Sequence, residues 1–174
     1  MKAAVLKQIG DGELDVREDV ATTKPGPDEV RVRIRAAGVC HSDVSAMKGG
    51  LPALAPGVMG HEGAGEVLEV GSSVTDLQPG DHVVLSFVPQ CGRCAYCLGG
   101  QPNLCEVHTV AAFVSPRFEV AGEPAFGFGG CGAFAEEVVV PSVGAIKVDP
   151  DVPFEIAALV GCGVLTGVGA VLNT

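Results

Sequence analysis

Val30-Arg31-Val32-Arg33-Ile34-Arg35 sets apolar against cationic residues with a period of two, the pattern of a strand with one face in the core and one in water. The residues just before it, Lys24-Pro25-Gly26-Pro27-Asp28-Glu29, form a turn cluster. Further strand-like stretches lie at 3–6, 63–70, 81–85, 135–140 and 144–147, each short and bounded by Gly, Pro or Asp. Many short strands broken by turn residues predict a mainly β fold, a barrel or a sandwich, with a helical turn or two over 41–48. The composition agrees: 174 residues hold 25 Gly and 12 Pro, with no collagen-like period, and 47% hydrophobic residues supply a core. A formal charge of −10 repels phosphate backbones, so no nucleic-acid partner is expected.

The character changes near residue 150. Asp149-Pro150-Asp151-Val152-Pro153 places a helix-capping Asp ahead of an early-helix Pro, and an apolar helix to about Leu159 is expected. A second helix start is expected around Val164–Thr166, and the chain stops at Thr174 as though cut within it. Residues 1–150 then form one domain, and 151–174 the start of helices linking it to another. From Ile156 to Leu172 no residue is charged, but the stretch is short of the ~20 residues needed to span a membrane and carries four glycines. Gly163-x3-Gly167 can be read as a membrane dimer motif; a buried helix pair is the plainer account. The N-terminal apolar run ends at Leu6, too short for a secretory core. The expectation is a soluble cytoplasmic chain without membrane partners. Seven cysteines in such a chain read as metal ligands or core residues rather than disulfides.

Cys91-x2-Cys94-x2-Cys97-x7-Cys105 is the strongest local signal, with a lobe expected over about 88–110. Four thiolates this close in sequence can converge on one Zn²⁺ and leave no open position, and Gly92, Gly99 and Gly100 allow the tight reversals required. An iron–sulfur run starts with the same spacing, but its fourth cysteine follows after three residues and precedes Pro. A nucleic-acid zinc ribbon would bring basic neighbours, and Arg93 is the sole cation between Gln90 and Cys105.

A second set lies scattered along the chain: Cys40-His41-Ser42-Asp43, Gly60-His61-Glu62 and Gly161-Cys162-Gly163. Two thiolates and one imidazole make the donor set of a catalytic zinc with a free fourth position. Taken singly, each has a plain reading: Cys162 as a core thiol, His61 and Glu62 as a surface pair, Ser42 or Asp43 as helix caps.

Gly60-His61-Glu62-x2-Gly65-x5-Gly71-x2-Val74 resembles, at every fixed position, the signature of zinc-containing alcohol dehydrogenases of the medium-chain dehydrogenase/reductase superfamily. The cysteine lobe, Gly38-Val39-Cys40-His41-Ser42-Asp43, Pro79-Gly80-Asp81-His82-Val83 and Gly161-Cys162-Gly163 fall in that family's order. The resemblance covers the whole chain and implies a GroES-like, partly open β-barrel. It implies two zincs per chain, one held by Cys40, His61 and Cys162, and a structural one on Cys91, Cys94, Cys97 and Cys105. It further implies Glu62 as an alternative ligand, Asp43 as the carboxylate fixing the ligand His, and Ser42 as acceptor of the alcohol proton. His41 and Thr166 fall at positions that contact NAD or NADP, and Leu51, Phe87 and Phe128 at positions lining the substrate pocket; the plain alternative for Phe87 and Phe128 is core aromatics. Ser45 stands where many members carry a proton-relaying His, and Gly129 where a bulky residue is common, which suggests a roomier pocket. Cys131 has no implied role.

The implied reaction converts a primary alcohol to an aldehyde in a homo-oligomer, a dimer or tetramer. A thiol-adduct dehydrogenase of the formaldehyde type is the runner-up. No Gly-x-Gly-x-x-Gly occurs, so the 174 residues alone are expected to be inactive. A non-catalytic zinc-stabilised β module and a zinc-ribbon interaction protein are the readings from other classes.

Overall fold

The computed structural model describes residues 1–173; Thr174, the last residue of the expected linking segment, lies outside them. Short strands dominate, as the turn-rich sequence demands. One sheet is built from β1 (Ala3–Leu6), β2 (Asp15–Arg17), β3 (Val20–Thr22), β5 (Gly57–Val58), β8 (Phe118–Val120) and β9 (Glu123–Gly127), in the order β2-β1-β5-β9-β8-β3. The other contains β4 (Glu29–Gly38), β6 (Glu62–Val70), β7 (His82–Leu85), β10 (Glu137–Pro141) and β11 (Ala145–Lys147), in the order β10-β4-β6-β7-β11. Pairing is antiparallel except between β5 and β9, and a bridge between Ala3 and Ala135 ties the sheets together.

The β4 alternation holds. Val30 and Val32 are buried, while the arginines between and beyond them face outward, Arg31 to Glu69 (2.8 Å) and Arg35 to Glu66 (3.1 Å). Such exposed pairs add at most about 1 kcal/mol each, so the buried valines set the register. Register shifts between Arg31 and Val32 and between Ile34 and Ala36 bend β4 against β6. The inward residues of both sheets, among them Val5, Val32, Val58, Val67, Leu85, Phe118 and Val138, form one cluster. The mainly β expectation is borne out: two curled sheets wrap the main core, with two smaller clusters beside it. At the end of β4 the chain turns into α1 (His41–Met47), and α2 (Ala95–Leu98) and α3 (Glu106–Val114) belong to the cysteine lobe.

The C-terminal segment departs from expectation. Pro153, not an Asp, occupies the cap of α4 (Phe154–Leu159), and Asp149 Oδ1 instead accepts from Asp151 N (2.9 Å) in the preceding turn. A second α-helical element does start at Leu165, as expected, but no break precedes it. The helix runs on through a wide π turn, Val160–Val164, into α5 (Leu165–Leu172), because no Pro interrupts it. The result is one helix of 19 residues, Phe154–Leu172, with a mean hydropathy of 1.9, long and apolar enough by composition to cross a membrane. It is not the buried pair expected. Ala157 and Ala158 pack on Ala64 of β6, Gly161 and Cys162 are buried, and α5 is largely exposed.

Candidate metal centres

In the lobe, Cys94 caps α2 and Cys105 caps α3, so two helix starts aim their thiols at a common point. The four sulfurs lie within 4.8 Å of one another, with Cys91 Sγ 4.0 Å from Cys97 Sγ. A zinc–sulfur tetrahedron with bonds near 2.3 Å has edges of about 3.8 Å, so the donor set fits the metal. Backbone N–H groups of Cys91, Arg93 and Cys94 donate to the sulfurs at 3.3–3.5 Å. The thiols titrate apart: the Cys97 N–H draws Cys94 down to about 6, while burial, together with the neighbouring thiols, pushes Cys97 up to about 11. Four thiolates in so small a space need a cation to ionise together.

The second set assembles where β4 meets α1, where β6 begins, and on the π turn. Ligand atoms of Cys40, His61, Glu62 and Cys162, far apart in sequence, lie within 4.8 Å of one another. Cys40 is the cap of α1, its Sγ accepting from Ser42 N (3.5 Å), and Asp43 closes a capping box by accepting from Cys40 N through Oδ2 (3.1 Å). The other carboxylate oxygen accepts from Gly60 N (3.1 Å) and faces His61 Nδ1 (3.4 Å). Asp43 therefore caps the helix and orients the imidazole at once, leaving Nε2 free for a metal. Only 2% of Asp43 and 3% of His61 are exposed.

Charges tune the donors. Burial presses His61 down, but the Asp43 hydrogen bond and charge, with a contribution from Cys40, bring it above the usual value. Hydrogen bonds from the N–H and side chain of Ser42 lower the Cys40 thiol. Burial, then the charges of Cys40 and Glu62, push Cys162 up to about 11. Two thiols and one imidazole, with a carboxylate beside them, form a donor set that fits zinc.

Two close approaches, to which the sequence reading gave no role, make this possible. A β-carbon on Gly161 would stand 2.5 Å from Leu85 O, so glycine lets the π turn press Cys162 against β7. A β-carbon on Gly38 would stand 2.3 Å from Glu62 Oε2. Gly38→Ala is expected to push the carboxylate out of the cluster and weaken zinc at this site roughly 10–100-fold, the usual cost of disturbing a group that supports a ligand. Chelator competition measures this, and an unchanged affinity in a folded variant contradicts it.

The ring of His61 meets Phe87 (centroids 5.3 Å, 80°) and Phe128 (5.4 Å, 84°) edge to face, so both aromatics stand at the site. A β-carbon on Gly129 would stand 3.3 Å from Phe87 Cβ and 3.4 Å from His61 Cβ, so any larger residue there would crowd both rings. Leu51, His41 and Thr166 are exposed, Leu51 after α1, His41 at its first residue, Thr166 on α5. Ser45 Oγ lies 3.3 Å from His41 Nδ1. Cys131 is 1% exposed, and burial pushes its thiol up to about 12, a core residue.

Residues 26–150 match the family described as the alcohol dehydrogenase GroES-like domain. An S-(hydroxymethyl)glutathione dehydrogenase of Photobacterium damsela subsp. piscicida is 44% identical, covering all of this chain and 49% of the relative. The structure of an alcohol dehydrogenase zinc-binding domain protein from Burkholderia ambifaria superposes with a TM-score of 0.89 at 37% identity, over 99% of this chain and 48% of the other. Benzyl alcohol dehydrogenase from Acinetobacter calcoaceticus gives 0.86 at 33% identity, over 99% and 47%. The chain spans about half the length of the curated relatives it matches. Its fold, its signature and its two donor sets thus agree with these similarities, and the chain belongs to the alcohol dehydrogenase GroES-like domain family, the N-terminal portion of zinc-type medium-chain alcohol dehydrogenases.

Proposed function

We propose that these residues are the zinc-binding half of an NAD- or NADP-linked alcohol dehydrogenase that converts a primary alcohol to its aldehyde. The observation that carries the reading is the convergence of Cys40, His61, Glu62 and Cys162, with Asp43 on the ring of His61. Zinc held by Cys40, His61 and Cys162 supplies Lewis acidity, which lowers the pKa of a hydroxyl as it lowers that of water toward ~7. Ser42, beside Cys40, would take the hydroxyl proton, and a bound nicotinamide would supply the hydride acceptor. Asp43 keeps His61 in one tautomer. Phe87 and Phe128, with Leu51, make an apolar wall that excludes water and strengthens local electrostatics. His41 and Thr166 meet the cofactor. Residues 1–150 form the catalytic domain and 151–174 lead to the dinucleotide-binding one; the assembled enzyme is a cytoplasmic dimer or tetramer.

The second reading is oxidation of an S-hydroxymethyl thiol, favoured by the name of the 44%-identical relative. In the full-length protein, a panel of primary alcohols against a hydroxymethyl thiol adduct, with each nicotinamide, separates the two. Protein purified without chelator is expected to hold close to two zincs per chain. A brown, iron-containing preparation, or no turnover by full-length zinc-loaded protein on any of these substrates, overturns the proposal.

A further inference from the structure

The turn Phe128–Gly130 is braced from two sides. Toward the site, Gly129 (φ +61°) backs onto His61 and Phe87 at the distances given above. Away from it, Gly130 (φ +73°) faces α3, and a β-carbon there would stand 3.3 Å from Ala112 Cβ. Two small cavities flank this contact. One, of about 20 Å³, is lined by Phe87, His108, Ala112 and Gly129 among others, and the other, of about 10 Å³, by Ala53, Ala112, Phe113 and Phe128. The larger takes a single water. Behind Ala112, α3 is rooted at Cys105, whose carbonyl accepts from Thr109 N (3.1 Å) and Thr109 Oγ1 (2.7 Å). The helix that starts from the four-cysteine cluster is thus the back plate of the turn that bears Phe128.

We propose that Ala112, which touches neither metal set, is a positioning residue that determines the size of alcohol the site accepts, through Gly130 and Gly129 to Phe87, Phe128 and His61. The turn has little side chain to anchor it, two of its three residues being glycines, so the α3 surface sets its depth. Ala112 is half-buried, with its β-carbon toward Gly130, so leucine there sets three more carbons against the turn and presses it toward Phe87 and His61, narrowing the substrate side. Glycine at 112 withdraws the contact and lets the turn fall back. The role extends the dehydrogenase reading above and rests on it.

The test uses the full-length, zinc-loaded protein as wild type, Ala112→Leu and Ala112→Gly, with ethanol and benzyl alcohol. Ala112→Leu is expected to raise KM for benzyl alcohol about tenfold or more, the scale of a few methylenes in an apolar pocket, with kcat and the ethanol KM within about twofold. Ala112→Gly is expected to move the benzyl KM the other way. A cobalt-substituted sample, titrated with each alcohol and followed by its visible bands, reads the same shifts as binding without turnover. Equal shifts for both alcohols, or none in either folded variant, overturn the role of Ala112. A wild type that binds both alcohols in the cobalt titration but oxidises neither overturns the dehydrogenase reading instead. Should Ala112→Leu not fold, the opposite-signed change in Ala112→Gly carries the test alone.

Discussion

Cys94→Ser is expected to release the cysteine lobe, drop the zinc content by one per chain and lower the melting temperature markedly. The reason lies in what the lobe lacks. No residue of α2 or α3 is buried, and Leu98, Leu104, Val107, Val110 and Val114 are all exposed. A segment with so little core is held by its metal, and structural zinc in small motifs contributes on the order of 10–16 kcal/mol of apparent binding energy, all of it available to folding. That rivals the whole stability of a typical domain, about 5–15 kcal/mol. Hydrogen exchange should show lost protection across α3. An unchanged melting temperature in Cys94→Ser refutes the structural assignment. Cys40→Ser makes the contrast: zinc content again falls by one, but the sheets keep their core and the lobe its protection.

Ser42→Ala in the full-length enzyme is expected to slow alcohol oxidation by about 10²-fold or more, the lower range for a positioned proton-transfer group. Ser42 is the third residue of a capped helix start, so its main-chain place is fixed by the capping box and survives loss of the hydroxyl. The substitution therefore spares the fold and removes what the hydroxyl does, accepting the proton and bonding the Cys40 thiol. Ser42→Thr, which keeps a hydroxyl on the same backbone, should retain most activity. Equal rates for alanine and wild type assign the proton to water.

The cysteine lobe was legible because its four donors sit close in sequence, where spacing alone limits the geometry. The strand around Val30–Arg35 was legible because water and core imprint a period of two. β5 was not: Gly57–Val58 is two residues long, and its pairing to β9 exists only once Phe126 and Gly127 arrive from far along the chain. The π turn was hidden for a similar reason. By propensity the glycines at 161 and 163 weaken a helix, yet close packing on β7 makes Gly161 the residue that lets the helix through. At the second metal set, the sequence supplied donors and the resemblance joined them. The two roles of Asp43, as cap and as partner of His61, were read as alternatives, and only the contacts show them held together; the place of Gly38 beside Glu62 also needed three-dimensional contacts.

The two donor sets also differ in when they can form. Cys91 to Cys105 leave the ribosome together, and closing so short a loop is quick and entropically cheap. The other set waits for Cys162, made some 57 residues after Cys105, a delay of roughly 3–11 s at ordinary rates of synthesis. A nascent chain passing through that interval holds the complete four-cysteine set and an unfinished second one, with Cys40, His61 and Glu62 made and Cys162 still to come. On the two-zinc proposal, metal would be taken up in two instalments, and a brief shortage late in translation is expected to leave only the second set empty.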